Sequence, residues 1–154
     1  MAAGFAPSFA APCGCARSHV EAAHMLIAVA LLFGFVAGLR TMTAPAAYFL
    51  HRGGIAGYVL AVAALGEYIY DASPIARSRT QPFGLSARIL SGGVTGWFVA
   101  GIAGAAAGAA GAVAGCYGGS ALRAKLIALA GDLPAALIED AIAIALAFFA
   151  VSRL

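Results

Sequence analysis

The chain has 154 residues, of which 63% are hydrophobic and only 10% are charged, and its net charge is +3. A soluble domain has about 25% charged residues, so this chain has too few polar side chains to cover a water-soluble globule. The composition predicts an all-α bundle of transmembrane helices, and the 20 glycines favour close packing between them. The positive residues form no long basic stripe, which argues against nucleic-acid binding.

The first 24 residues differ from the rest of the chain. They contain two prolines and two cysteines and have no apolar helical face. We therefore expect a disordered N-terminal extension, 1–24, followed by a transmembrane helical domain, 25–154. The cysteines and histidines of the extension have metal-binding chemistry, but they match no strong zinc-binding spacing, so we expect no metal site and no cofactor.

Apolar segments near both ends of this domain predict transmembrane helices. The first segment begins at Met25, and we expect Pro45 to end or kink it, because proline lacks an N–H and clashes with the preceding turn. A second span covers about 55–70. The last span starts near Asp132, which can cap the helix, with Pro134 in its first turn.

The stretch 86–120 is too long for one comfortable span at about 1.5 Å per residue. We divide it near Gly104 into a third span, 87–103, and a fourth, 105–122, which makes about five spans in all. One long tilted helix is the alternative and gives four. Glycines recur through the stretch at three- or four-residue spacing, and this pattern predicts tight helix–helix contacts.

The basic residues predict an orientation in the membrane. The loop 71–88 contains three arginines, and Arg123 and Lys125 follow the fourth span. Because positive residues favour the cytoplasmic side, we expect both regions and the N-terminus inside and the C-terminus outside. Arg40 is then expected at the outer interface, either as a snorkelling side chain or as an anion-binding group beside a helix broken at Pro45.

Charged side chains within apolar segments are the candidate functional residues, because a bilayer makes them costly. Glu139 and Asp140 lie side by side in the last span with apolar neighbours on both sides. Burial raises the pKa of a carboxylate and a nearby arginine lowers it, so an acid between these effects can exchange a proton or cation. Alternatively, such acids form buried ion pairs that fix helix register, which is the favoured interpretation for Glu67 and Asp71. The candidate ion, proton or substrate site comprises Glu139, Asp140, Glu67, Asp71, Arg40, Arg88 and Arg123.

Short motifs add a resemblance. Gly38-Leu-Arg-Thr-Met-Thr-Ala-Pro45, Glu67 with Asp71-Ala-Ser-Pro74, and Ala87-Arg88-Ile-Leu-Ser-Gly92 resemble a bacterial family of small integral membrane proteins catalogued as a domain of unknown function. The resemblance covers about 25–150 and implies a polytopic helical bundle in the inner (cytoplasmic) membrane of a bacterium. The family often has lysine directly after the acid that corresponds to Asp71. This chain has Ala72 there, so no role of that lysine is transferred.

Two functions are compatible with these features. The first is a small proton- or ion-coupled transporter or permeation protein, which a homo-oligomer would complete because one small bundle has little room for a pathway. The second is a non-transporting scaffold or assembly factor whose buried charges are structural. The expected partners are the lipid bilayer, further copies of the chain and an unidentified small solute or ion. No nucleophile elbow, phosphate-binding loop or zinc-protease motif occurs, so we do not expect an enzyme.

Overall fold

The computed structural model describes the backbone of residues 13–71 and 81–154 and the side chains of 20–69 and 81–154. Within these ranges the chain forms five helices and no strand. The helices are α1 (Cys13–Leu39), α2 (Thr43–Arg52), α3 (Ile55–Asp71), α4 (Pro82–Ala130) and α5 (Asp132–Val151). Non-helical backbone angles at Ala100 and Gly101 break α4 into two arms, 82–99 and 102–130.

Three segments are long and apolar enough to cross a membrane, namely Val20–Leu39, Pro82–Ala130 and Asp132–Val151. A shorter apolar helix covers Ile55–Ile69. The predicted all-helical architecture is therefore confirmed for the described residues, and the lengths and compositions are those that membrane helices need. The break in α4 comes slightly before the predicted division at Gly104.

Helix α1 extends further towards the N-terminus than predicted. It begins at Cys13 and continues without interruption through Met25, so the stretch 13–24 is helical where the sequence suggested part of a disordered extension. No proline occurs between Cys13 and His24, and this stretch joins the apolar segment as one continuous helix. Residues 1–12 of the predicted extension lie outside the described residues.

The first helix ends earlier than predicted. The helix is interrupted at residues 40–42, and Pro45 lies in the first turn of α2, where a missing N–H is tolerated. Helix α2 runs back along α1, and the rings of Phe33 and Tyr48 meet edge to face with centroids 6.2 Å apart. Pro45 is thus compatible with the start of a helix as well as with the end of one.

This reversal changes the predicted orientation of the first span. Leu26, near the beginning of the apolar part of α1, and Leu154, after α5, line one pocket together with His51. We call this the His51 end of the bundle and the opposite end, where α1 gives way to α2, the Arg40 end. The two ends of the region 25–154 thus lie at the same end of the bundle, whereas we expected them on opposite sides, because α2 adds a reversal that the prediction lacked.

Glycines bring the longest helices into backbone contact. The two arms of α4 form an antiparallel hairpin, in which a Cβ atom on Gly96 would overlap the carbonyl oxygen of Gly104. Helix α1 packs against this hairpin, and a Cβ atom on Gly34 would overlap the carbonyl oxygen of Gly108. At the turn of the hairpin Gly101 has a φ of 61°, which glycine adopts without a steric cost. The close contacts predicted from glycine spacing are confirmed.

The glycine contacts can be tested with two alanine substitutions on the same arm. A Cβ atom at Gly115 would overlap the carbonyl oxygen of Phe35, whereas at Gly118 it would meet open space. We expect Gly115→Ala to lower the free energy of unfolding by about 1–3 kcal/mol through overpacking. Gly118→Ala should leave it unchanged or raise it by up to about 1 kcal/mol through helix propensity. Unfolding in mixed detergent micelles measures both, and equal effects would contradict the packing described here.

Candidate functional site

The break between α1 and α2 exposes backbone groups that need partners. The Arg40 N–H still donates to the Val36 carbonyl at 2.8 Å, but the next two N–H groups precede the first turn of α2. Glu67 of α3 accepts both: its Oε1 lies 2.8 Å from Thr41 N and its Oε2 lies 2.9 Å from Met42 N. One carboxylate from another helix therefore caps the N-terminus of α2, where negative charge is favoured.

Hydroxyl groups complete the polar contacts at this break. Ser91, on the first arm of α4, donates a hydrogen bond through Oγ to the Thr41 carbonyl. The Thr43 and Tyr68 hydroxyl oxygens lie 2.8 Å apart and share a hydrogen bond between α2 and α3. The break is thus held by side chains from two other helices, which satisfy backbone groups that lipid could not.

Arg40 forms an ion pair with α5. Its side chain is only 1% exposed, and its Nε donates to Oδ1 of Asp140 at 2.7 Å, while a terminal guanidinium nitrogen contacts the same oxygen. Asp140 is 21% exposed, so the pair extends from the interior towards the surface. The guanidinium carbon also lies 5.0 Å from the centre of the Tyr68 ring, in the range of a cation–π contact.

Glu139 lies deeper than its neighbour in the sequence. Its side chain is 1% exposed, and its Oε2 is 3.7 Å from a guanidinium nitrogen of Arg123. The other terminal nitrogen of Arg123 donates to Asp132 at 3.0 Å, and Asp132 is 72% exposed. Arg123 therefore links an acid on the surface to an acid in the interior. Asp132 does not cap α5 as predicted, because Gly131 occupies the cap position and no side chain bonds there.

Arg88 is the third arginine among the candidate residues and, with Arg40, one of the two that are buried. Its side chain is 6% exposed, and it donates to the Gly84 carbonyl at 3.3 Å, one turn earlier on the same arm. It lies one turn before Ser91 and therefore near the break. Asp71 ends α3, and its side chain lies outside the described residues, as do the predicted basic side chains at 77 and 79.

The structure brings Arg40, Glu67 and Asp140 together around one helix break. We expected Arg40 at the outer interface and the loop 71–88, which follows Glu67, on the inner side, so this arrangement differs from the prediction. The reversal at α2 is the reason. Ser91 and Tyr68, which form hydrogen bonds at the break, were not among the predicted site residues. The signal for both was a hydroxyl group within or beside an apolar helix, where an unpaired polar group is unfavourable.

No protein-family model, curated protein or solved structure matches the chain. The resemblance suggested by the short motifs therefore stays a prediction. Within the described side chains, no group of three or more histidines, cysteines or acids is placed to hold a metal ion.

Glu67 provides a direct test of the helix cap. We expect Glu67→Ala to lower the free energy of unfolding by about 2–3 kcal/mol, because two backbone N–H groups lose a charged acceptor. Hydrogen exchange should also become faster at the amides of Thr41 and Met42. Asp132→Ala removes an exposed acid from a helix start that it does not cap, so the exchange at Thr41 and Met42 should not change. Unchanged exchange in both variants would contradict the assigned cap.

Proposed function

We propose that the protein is a small multi-pass protein of the cytoplasmic membrane that moves protons or a small ion, with Glu139 and Asp140 as the acids that bind it. One observation carries this proposal: charges of alternating sign lead from water into the bundle. The exposed fraction falls from 72% at Asp132 to 18% at Arg123 and 1% at Glu139. A buried acid with a charged connection to the surface is a recurrent feature of proton and ion pathways in membranes.

Arg123 supports exchange because it contacts two acids at once. When Glu139 takes up a proton and loses its charge, the guanidinium keeps Asp132 as its partner at 3.0 Å. Protonation of Glu139 therefore does not leave Arg123 without a counter-ion, which would be costly at a partly buried position. The contact of 3.7 Å between Arg123 and Glu139 is also longer than a hydrogen bond, so breaking it when Glu139 takes up a proton costs little free energy.

The helix break supports the same proposal. Discontinuous helices whose half-helix ends meet polar groups mark substrate or ion sites in many transporters. Here α1 ends next to a fully buried Arg40, and α2 begins against the Glu67 carboxylate. The positive-inside rule favours a cytoplasmic position for this end. Arg88, Arg123 and Lys125 lie there, and the segment that joins α3 to α4 contains two more arginines, against Arg17, Arg52 and Arg153 at the His51 end. A second copy of the chain would supply the remaining wall of the pathway.

Proton flux into proteoliposomes tests the proposal. With a pH-sensitive dye inside and a potassium–valinomycin potential as the driving force, we expect the protein to carry protons faster than empty liposomes do. Glu139→Gln should lower that flux at least about tenfold, since one proton-binding group is lost from the path. Glu21→Gln removes an exposed acid of α1 and should change nothing.

Two outcomes would reject proton transport. One is flux in Glu139→Gln equal to that of the unchanged protein, with both shown to be folded by circular dichroism and gel filtration. The other is flux of the unchanged protein no greater than that of empty liposomes at every pH tested.

A scaffold or assembly factor is the second candidate, and a specific observation favours it. Each described acid at the break has a partner that stabilises the fold: Glu67 has two backbone N–H groups, Asp140 has Arg40, and Glu139 has Arg123. Charges paired in this way can fix helix register without taking part in transport.

A double-mutant cycle measures the structural role of the Arg40–Asp140 pair. We expect Arg40→Met alone to lower the free energy of unfolding by about 3–5 kcal/mol, because Asp140 loses its partner. Adding Asp140→Leu should recover most of that loss. If the stable double variant keeps the proton flux of the unchanged protein, this pair is structural only. If it is as unstable as Arg40→Met, the two side chains do not act as a pair.

A further inference from the structure

An apolar groove of about 300 Å³ lies along the outside of the bundle between α3 and α5, with α2 as its floor. Helix α3 packs mainly against α2, which leaves its other side open towards α5. Alanines form much of the groove surface and keep it narrow, while large apolar side chains from α2 and α5 border it. Its lining includes Ala46, Ala47, Ala61, Ala64 and Phe148.

The dimensions of the groove select its occupant. It follows α2 from Thr43 to His51, a distance of about 12 Å along a helix axis. A volume of about 300 Å³ over that length leaves a cross-section of roughly 25 Å². An α-helix with its side chains is about 10–12 Å wide, so a helix from a second copy does not fit. A single hydrocarbon chain is narrow enough to fit in the groove.

A second pocket adjoins the groove at the His51 end. It has a volume of about 200 Å³ and is lined by His51 and Arg52 together with Leu26, Tyr48 and Leu154. His51 borders both the pocket and the groove. The apolar groove and the pocket therefore meet at His51. The side chains of His51 and Arg52 are both exposed there.

The charge around this pocket is mainly positive. Arg153 follows α5 at the same end, with its guanidinium 4.8 Å from the Phe149 ring. Among the described side chains, Glu21 is the one acid on this side, and it is exposed about 7 Å further along α1 than Leu26. The remaining described acids lie at or beyond the Arg40 end.

We propose that the groove and the pocket together bind one anionic membrane lipid, with one acyl chain in the groove and the phosphate of the headgroup at Arg52 and His51. Within a bilayer the chain moves from one hydrocarbon environment to another, so its burial adds little selectivity. Selectivity comes from the headgroup, because a guanidinium binds phosphate through paired, charge-assisted hydrogen bonds. The narrow groove then fixes the position of the lipid that the headgroup selects.

Native mass spectrometry of the protein in mild detergent tests this site with two lipids of identical chains, dioleoyl phosphatidylglycerol and dioleoyl phosphatidylcholine. We expect phosphatidylglycerol to saturate at one lipid per chain and to bind at least about tenfold tighter than phosphatidylcholine. Ala61→Phe fills the groove and should weaken phosphatidylglycerol binding by a similar factor. Ala63→Phe adds the same ring on the exposed side of α3 and should have no effect.

The headgroup contact has its own matched pair of variants. Arg52→Gln should remove most of the preference for phosphatidylglycerol, whereas Lys125→Gln removes one exposed positive charge at the other end of the bundle and should leave it intact. Equal binding of the two lipids, or binding that never saturates at one lipid, would show only the lipids that surround any membrane protein and would overturn the proposal. An unchanged preference in Arg52→Gln would overturn it as well, even if Ala61→Phe fails to fold.

Discussion

The backbone break between α1 and α2 is the constraint from which the rest of the bundle follows. An N–H or carbonyl group without a partner costs several kcal/mol in a lipid environment, and ending α1 at Leu39 creates several such groups. Glu67 accepts two of the N–H groups, and Ser91 donates to a carbonyl. Each contact fixes a different helix against the break. Helix α3, which packs mainly against α2, is held at its far end by the carboxylate.

Glycines make this polar arrangement possible by determining how closely the helices approach. The contacts between α1 and α4 involve backbone against backbone, which brings Leu39 and the following break close to the second arm. Gly119 on that arm lies beside both Leu39 and Glu139, and a Cβ atom there would come within 3.4 Å of a Glu139 oxygen. The same row of small residues thus packs α1 and leaves room for a buried acid from α5.

The sequence allowed the helical architecture and the glycine contacts to be predicted because both depend on local periodicity. Glycines every three or four residues lie on one helix face wherever that helix packs. The position of the break was not predictable in the same way, because proline is acceptable both at the end of a span and in the first turn of the next helix. The contacts that decide it come from Glu67 on α3, more than twenty residues away.

The pairing of the charged residues could not be predicted from the sequence either. The free-energy cost of placing a charge in a membrane identifies Arg40 and Asp140 individually as candidate functional residues. They lie 100 positions apart, so rules based on neighbouring residues do not predict that they form a pair. The error in the orientation of α1 had the same origin. A ten-residue helix is about 15 Å long, which is too short for a span by length alone, so the division of the sequence into spans omits it. That single omission placed Arg40 at the wrong end of the bundle.

Helix α2 connects the helix break to the proposed lipid site. Its N-terminus is capped by Glu67 at the break, and its C-terminal turn carries His51 and Arg52 beside the apolar groove. A helix this short behaves as a rigid rod, and it packs against α1 through Tyr48, whose hydroxyl also donates to the Phe98 carbonyl at 3.0 Å. A tilt of α2 that moves its N-terminus away from Glu67 therefore also moves its C-terminal basic residues.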